Sequence, residues 1–222
     1  MTEIPLYFDF ISPYAYFAHL QVARIEERHQ VNVQYRPVLF AAILNHHGQL
    51  GPAEIESKRE FTFRDIARYA AQHAIPLRGP ATHPFVPTTA LRVALPEVAG
   101  EHQVQVIDVL FRQGWGNGLD LADPRALAAA LEDAGLPGSA MVERTQEPAV
   151  KEALKQSTAH ALELGVFGVP TFEIAGELVW GNDRISTVEA ILAGVDPLPE
   201  DAIQRLLDIP RGATRPGSHR TR

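Results

Sequence analysis

The chain of 222 residues contains no cysteine. Disulfides, protein thiolate nucleophiles and thiolate metal sites are therefore excluded. No apolar run reaches the roughly 18 to 20 residues that a membrane span requires, so none is predicted. The opening "MTEIPLYFDF" has no basic segment leading into an apolar one, which gives secretion no support and makes the cytoplasm the expected location. Basic charge is scarce as well: 20 Lys and Arg stand against 27 Asp and Glu, and Arg211, Arg215, Arg220 and Arg222 all follow Ile209, after which no acid occurs. The body of the chain is thus more acidic than the net charge of -7 suggests, and nucleic acid is not an expected partner. Internal repeats, a Gly-x-Ser-x-Gly elbow, a phosphate-loop pattern and histidines at metal-ligand spacing are all missing. No hydrolase triad, nucleotide site or metal site is predicted.

What is present is ordinary for a soluble globular protein, 45% hydrophobic and 21% charged, with length for one domain carrying an insertion or for two small domains. "IPLYFDF" reads as a buried strand ending near Phe10, Ser12 as a helix N-cap and Pro13 as the first helical residue. The helix runs to "EERHQ", and "VNVQYRP" alternates as a second strand. From Leu39 to about Leu164 the pattern is helical. "KREFTFRDIARYAAQH" carries Phe61, Ile66 and Tyr69, "HQVQVIDVLFRQGW" puts Val106, Val109 and Leu110 on one face, and "DPRALAAALEDAG" runs from an Asp123 cap to Gly135. "GWGNG" around Trp115 reads as a turn. Thr171 to Ile174 and Leu178 to Trp180 then form a hairpin, and a helix capped by Asn182 or Asp183 carries Ile185, Val188 and Leu192. This order predicts an α/β thioredoxin fold with a large all-helical domain inserted between strands 2 and 3. The expected division is a thioredoxin-like domain of 1–38 and 166–208, a helical insertion of 39–165 and a flexible tail of 209–222.

With these elements placed, "FDFISPYAY", "GVFGVPTF" and "WGNDRI" become recognisable together. The chain resembles the 2-hydroxychromene-2-carboxylate isomerases and kappa-class glutathione transferases, a DsbA-like branch of the thioredoxin superfamily, over residues 4 to 195. Where redox members carry Cys-x-x-Cys, this chain has Ser12 and Ala15, so disulfide exchange is lost. What survives is a hydroxyl at a helix N-terminus, where free N–H groups and the helix dipole favour an anion. The resemblance implies that the anion is the thiolate of bound glutathione, with Ser12 as the catalytic hydroxyl and Pro13 and Tyr14 beside it at the cofactor. A plain helix cap is the alternative for Ser12, and the two roles compete for the same N–H groups.

The resemblance implies further that Pro170 follows a cis bond and that the Val169 backbone pairs with the cofactor's cysteinyl unit. Asn182 and Asp183 would hold the γ-glutamyl end, Asp183 against the ammonium, while Arg184 reads as a surface or ion-pair residue. Gln49 stands where many relatives carry a glutathione-contacting asparagine. The lysine that meets the substrate carboxylate in the isomerases is missing from "FAAILNHHG", and Lys58 or Arg59 is the candidate replacement. His46 and His47 are adjacent and so point apart, which excludes a shared metal and gives the pair a surface reading, with the rim of a substrate pocket as the alternative. The electrophile pocket is expected between the two halves, walled by Phe40, His47, His83 and Phe85, with histidine or Lys58 at its carboxylate. Three functions fit: a glutathione-dependent isomerase, a kappa-like transferase, or a non-catalytic thiol- or peptide-binding module. A small aromatic or electrophilic substrate and a homodimer are implied, with neither a metal nor a membrane.

Overall fold

A computed structural model describes residues 1–213. Its sheet has four strands, β1 (Thr2–Phe8), β2 (Val31–Pro37), β3 (Thr171–Ile174) and β4 (Glu177–Trp180), in the order β2-β1-β3-β4. β1 pairs with β2 in parallel from Thr2↔Val31 to Phe8↔Pro37, and antiparallel with β3 at Leu6↔Phe172 and Tyr7↔Thr171. α1 (Pro13–His29) is the crossover between the parallel strands. Successive side chains of a strand face opposite ways. Ile4, Leu6 and Phe8 therefore enter the main core, while Tyr7 enters a second cluster with Val38, Ile43, Ala161, Val166 and Val169. Both faces of β1 are covered, which explains its nearly continuous apolar run. The β3–β4 turn at Ala175–Gly176 has φ of 52° and 83°, positive at both central residues as a tight hairpin requires.

The segment between β2 and β3 is helical: α2 (Phe40–His46), α3 (Glu56–Gln72), α4 (Thr88–Val93), α5 (Pro96–Ala99), α6 (Gln103–Phe111), α7 (Pro124–Asp133), α8 (Gly138–Arg144) and α9 (Pro148–Glu163). It shares one core with the sheet. Phe8 and Phe10 of the first strand and loop meet Phe111 with ring centroids 5.7 and 4.7 Å away. A buried polar chain crosses the same boundary: Tyr35 donates to His19 Nδ1 at 2.6 Å, and His19 Nε2 donates to Asp108 at 3.1 Å. Arg112 closes the chain at 2.7 Å from the same carboxylate.

α10 (Ile185–Leu192) follows β4 as expected, but neither Asn182 nor Asp183 caps it. Those residues form a 3-10 turn, and Asn182 instead accepts a hydrogen bond from Gln21 of α1. Phe61 is also turned outward, 65% exposed, because Ile66 and Ala70 form the buried stripe of α3. "RQGWG" is a π-type turn continuing α6 with Trp115 wholly buried. α11 (Glu200–Leu207) was not expected at all. Of the expected tail, 209–213 carry no regular element, and 214–222 lie outside the described residues.

Candidate active site

Ser12 is presented by a loop, 9–12, that is fixed from several directions. The Ser12 N–H donates to Asp9 O at 3.1 Å. The Asp9 carboxylate, fully buried, accepts from Ile11 N at 3.0 Å and from Phe40 N at 2.9 Å, joining the end of β1 to the start of α2. Burial outweighs those two bonds and pushes its pKa up from 3.8 to about 7. The two carbonyls before Ser12 are held by the helical segment: Trp115 Nε1 donates to Phe10 O at 2.8 Å, and His83 Nε2 to Ile11 O at 3.0 Å. Replacing Trp115 by Phe leaves Phe10 O without its donor and opens a cavity where the larger indole ring was buried. A loss of about 1–3 kcal/mol in urea unfolding is expected, and a loss under about 0.5 kcal/mol would contradict this role for the indole N–H.

Ser12 Oγ accepts from Ala15 N at 3.2 Å, as an N-cap does, and donates to Val169 O at 3.3 Å. The two readings of Ser12 are therefore not exclusive, because the capping lone pair and the hydroxyl hydrogen are different parts of one group. The Val169–Pro170 bond is cis, as is His83–Pro84. Of the Val169 backbone groups expected to face a ligand, the carbonyl already receives Ser12, while the N–H has no partner among the described residues. Pro170 O accepts from Gly181 N at 2.9 Å, which ties "WGND" to this corner. Gly181 has φ of 106°, a backbone conformation that favours glycine, whereas the Asp183 carboxylate that a Cβ would meet is exposed and free to turn away.

Beyond α1 lies a second polar group. Asn182 is buried and accepts from Gln21 Nε2 at 2.9 Å, and Gln21 also reaches Tyr69 OH at 3.3 Å. Tyr14 donates to Asp65 Oδ2 at 2.8 Å. Burial, then the bond to Asp65, then the charges of Asp65 and Asp183 raise the Tyr14 pKa, so the phenol stays protonated. Asp183 is exposed and holds Arg184 Nη1 at 2.9 Å, the ion-pair role expected for that arginine. An exposed pair of this kind contributes little, and a ligand ammonium competes for it readily.

The four expected pocket residues fall into two groups, each tied to the 9–12 loop, Phe40 through Asp9 and His83 through Ile11. Phe40 packs against the cluster of Tyr7, Val38, Ile43, Ala161, Val166 and Val169, and His47 Nε2 lies 3.4 Å from Val166 O. His83 and Phe85 belong to a different group with Phe63 and Trp115. Phe85 is a correction: it is buried at 9% exposure, because the alternation in "PFVP" turns Phe85 and Pro87 inward and Val86 outward. It backs His83 rather than offering a face of its own. Gln49 and Lys58 are exposed, and the Arg59 guanidinium lies 4.6 Å over the Phe63 ring. Cavities of about 330 and 500 Å³ open elsewhere and are not lined by Ser12. Among the described residues no three His, Asp or Glu side chains are placed to hold a metal, and no helix is long and apolar enough to cross a membrane.

Asp9, Gln21, Asp65 and the indole of Trp115 were not singled out in the sequence. Only Asp9 carries a local signal, as a lone acid inside the apolar run "YFDF".

A redox-dead thioredoxin site with a serine at the helix N-terminus and a cis proline facing it defines the class. The DSBA-like thioredoxin domain matches residues 3–193, and the chain belongs to that family, in the branch of the 2-hydroxychromene-2-carboxylate isomerases and kappa glutathione transferases. It is 31% identical over 196 residues to a 2-hydroxychromene-2-carboxylate isomerase of Sphingobium xenophagum, covering 86% of this chain and 99% of that one. With glutathione S-transferase kappa 1 of Homo sapiens it shares 24% identity, covering 91% and 97%. A solved 2-hydroxychromene-2-carboxylate isomerase superposes with a TM-score of 0.78 at 24% identity, over 93% of this chain and 98% of the other, which supports the fold.

Proposed function

We propose that the chain is a glutathione-dependent cis–trans isomerase of the 2-hydroxychromene-2-carboxylate type, acting in the cytoplasm as a homodimer. The observation that carries this reading is the Ser12 hydroxyl, held at the N-terminus of α1 and 3.3 Å from the carbonyl of the cis Val169–Pro170 pair in a chain without cysteine. The donors and acceptors present suit glutathione: a hydroxyl, a free backbone N–H at Val169, the buried amide of Asn182, the carboxylates of Asp183 and Asp65, and the exposed amide of Gln49. When bound, glutathione supplies a thiolate that adds to a conjugated carbon and leaves again, so that the former double bond can rotate in between.

The chain's own tasks follow from its geometry. Ser12 turns its hydroxyl hydrogen from Val169 O to the sulfur, since an anion is the stronger acceptor. The α1 N-terminus favours the thiolate, as it does for protein thiols placed there. Asp183 and Val169 orient the cofactor, with Pro13 and Tyr14 lining its approach. Phe40, His47 and His83 bound the space left for a flat acid.

A kappa-like transferase is the second reading, favoured by the lack of a cation in α2, "FAAILNH". Product analysis with 2-hydroxychromene-2-carboxylate and aryl halides separates the two. Under the isomerase reading free glutathione stays constant while the substrate changes geometry; stoichiometric loss of glutathione would establish the transferase instead. Binding with no turnover of either substrate would leave a non-catalytic thiol-binding module.

A further inference from the structure

His83 donates Nε2–H to Ile11 O at 3.0 Å, and a carbonyl can only accept, so the proton of the neutral ring is on Nε2. Nδ1 then presents a lone pair. That atom is buried and has no hydrogen-bond partner, an exception for a buried polar atom. Burial, partly offset by the bond to Ile11 and assisted by the charge of Arg59, holds the His83 pKa below its ordinary 6.5. A neutral ring offering only a lone pair repels a carboxylate. In the ligand-free chain His83 therefore presents an acceptor, and not a donor, at Nδ1.

Three aromatic rings surround the imidazole: Phe63 and Trp115 at 5.5 Å and Phe85 at 6.5 Å. Trp115 and Phe85 are buried, whereas Phe63 is half-buried beneath the exposed Arg59. Phe63 and Arg59 are the less buried members of this group, so a ligand that reaches Nδ1 from solvent has to displace their side chains. Resting on the glutathione-dependent reading above, we propose that His83 is a specificity residue whose Nδ1 accepts a hydrogen bond from a hydroxyl on the electrophile, while Arg59, not Lys58, takes its carboxylate.

The test uses the full chain with S-methylglutathione, which occupies the cofactor site without reacting, and calorimetric titration of cinnamate and its ortho-, meta- and para-hydroxylated forms. On the wild type one hydroxylated form should bind about tenfold more tightly than cinnamate. In His83→Gln, whose amide can still donate to Ile11 O but places no acceptor at Nδ1, that advantage should fall below about twofold with cinnamate itself unaffected. Arg59→Gln should weaken all four acids alike. A hydroxyl advantage missing from the wild type, as when Nδ1 merely holds a water, overturns the proposal, and so does one that survives His83→Gln. Should that variant not fold, the Nδ1 resonance of histidine-labelled wild type decides: a hydroxylated acid should move it and cinnamate should not, and an unmoved resonance overturns the assignment. If S-methylglutathione fails to bind, the proposed function falls, while the hydroxyl advantage measured on the chain alone still decides the role of His83.

Discussion

Replacing Ser12 by alanine is expected to lower kcat with glutathione by about a hundredfold while changing glutathione affinity by less than about threefold, the pattern of a donor needed most by a developing or stabilised anion. The hydroxyl in the resting chain divides between a cap bond from Ala15 N at 3.2 Å and a donor bond to Val169 O at 3.3 Å. On the proposed reading only the second is exchanged for the sulfur, so alanine would remove the thiolate's donor together with a helix cap. The cap alone is worth about 1 kcal/mol of stability, too little to unfold an ordinary domain. Thiolate absorbance of the bound cofactor gives an independent reading: its pKa should rise by about one unit, near 1.4 kcal/mol, in the alanine variant. Turnover retained within about threefold of wild type would remove Ser12 from the mechanism and leave it as a cap.

How much of this was legible in the sequence depends on whether a feature is local. Ser12 before Pro13, Asp123 before Pro124 and the turn residues "AGE" around Gly176 are signals within a few residues, and each forms the element expected of it. The thioredoxin fold followed from one strand–helix–strand unit and one hairpin, which leave few arrangements. What could not be read were pairings across long sequence separations. Trp115 to Phe10 and His83 to Ile11 span 105 and 72 residues, and nothing near Trp115 marks it as the donor that fixes the loop before Ser12. Asn182 illustrates the same limit: its neighbours suit a helix cap, yet Gln21, 161 residues away, takes its carbonyl. The site is thus recognisable by its motifs, whereas its rigidity comes from the helical segment that separates them.

Asp9 should make the chain lose stability as pH rises, opposite to the trend of a salt-bridged acid. Its carboxyl is fully buried with no cation beside it among the described residues, and the N–H groups of Ile11 and Phe40 compensate only in part, so its pKa rises from 3.8 to about 7. Between those values the folded chain keeps a proton that the unfolded chain has released. Stability tied to this proton is therefore complete below about pH 4, declines through the window up to about 7, and is gone above it. At about 1.36 kcal/mol per pH unit the gap between 3.8 and about 7 corresponds to something on the order of 4 kcal/mol. Asp9→Asn carries no such charge. Its amide has one acceptor oxygen for two N–H groups and turns its NH2 toward the other, so it should be destabilised by about 1–3 kcal/mol at pH 5. As the pH is raised to 8 the wild type should lose its lead and can fall below the variant. Urea unfolding of both proteins at intervals from pH 5 to 8 measures the difference, in which other titrating groups cancel. Parallel pH profiles for the two proteins would show that Asp9 is ionised throughout, with its two backbone bonds outweighing its burial.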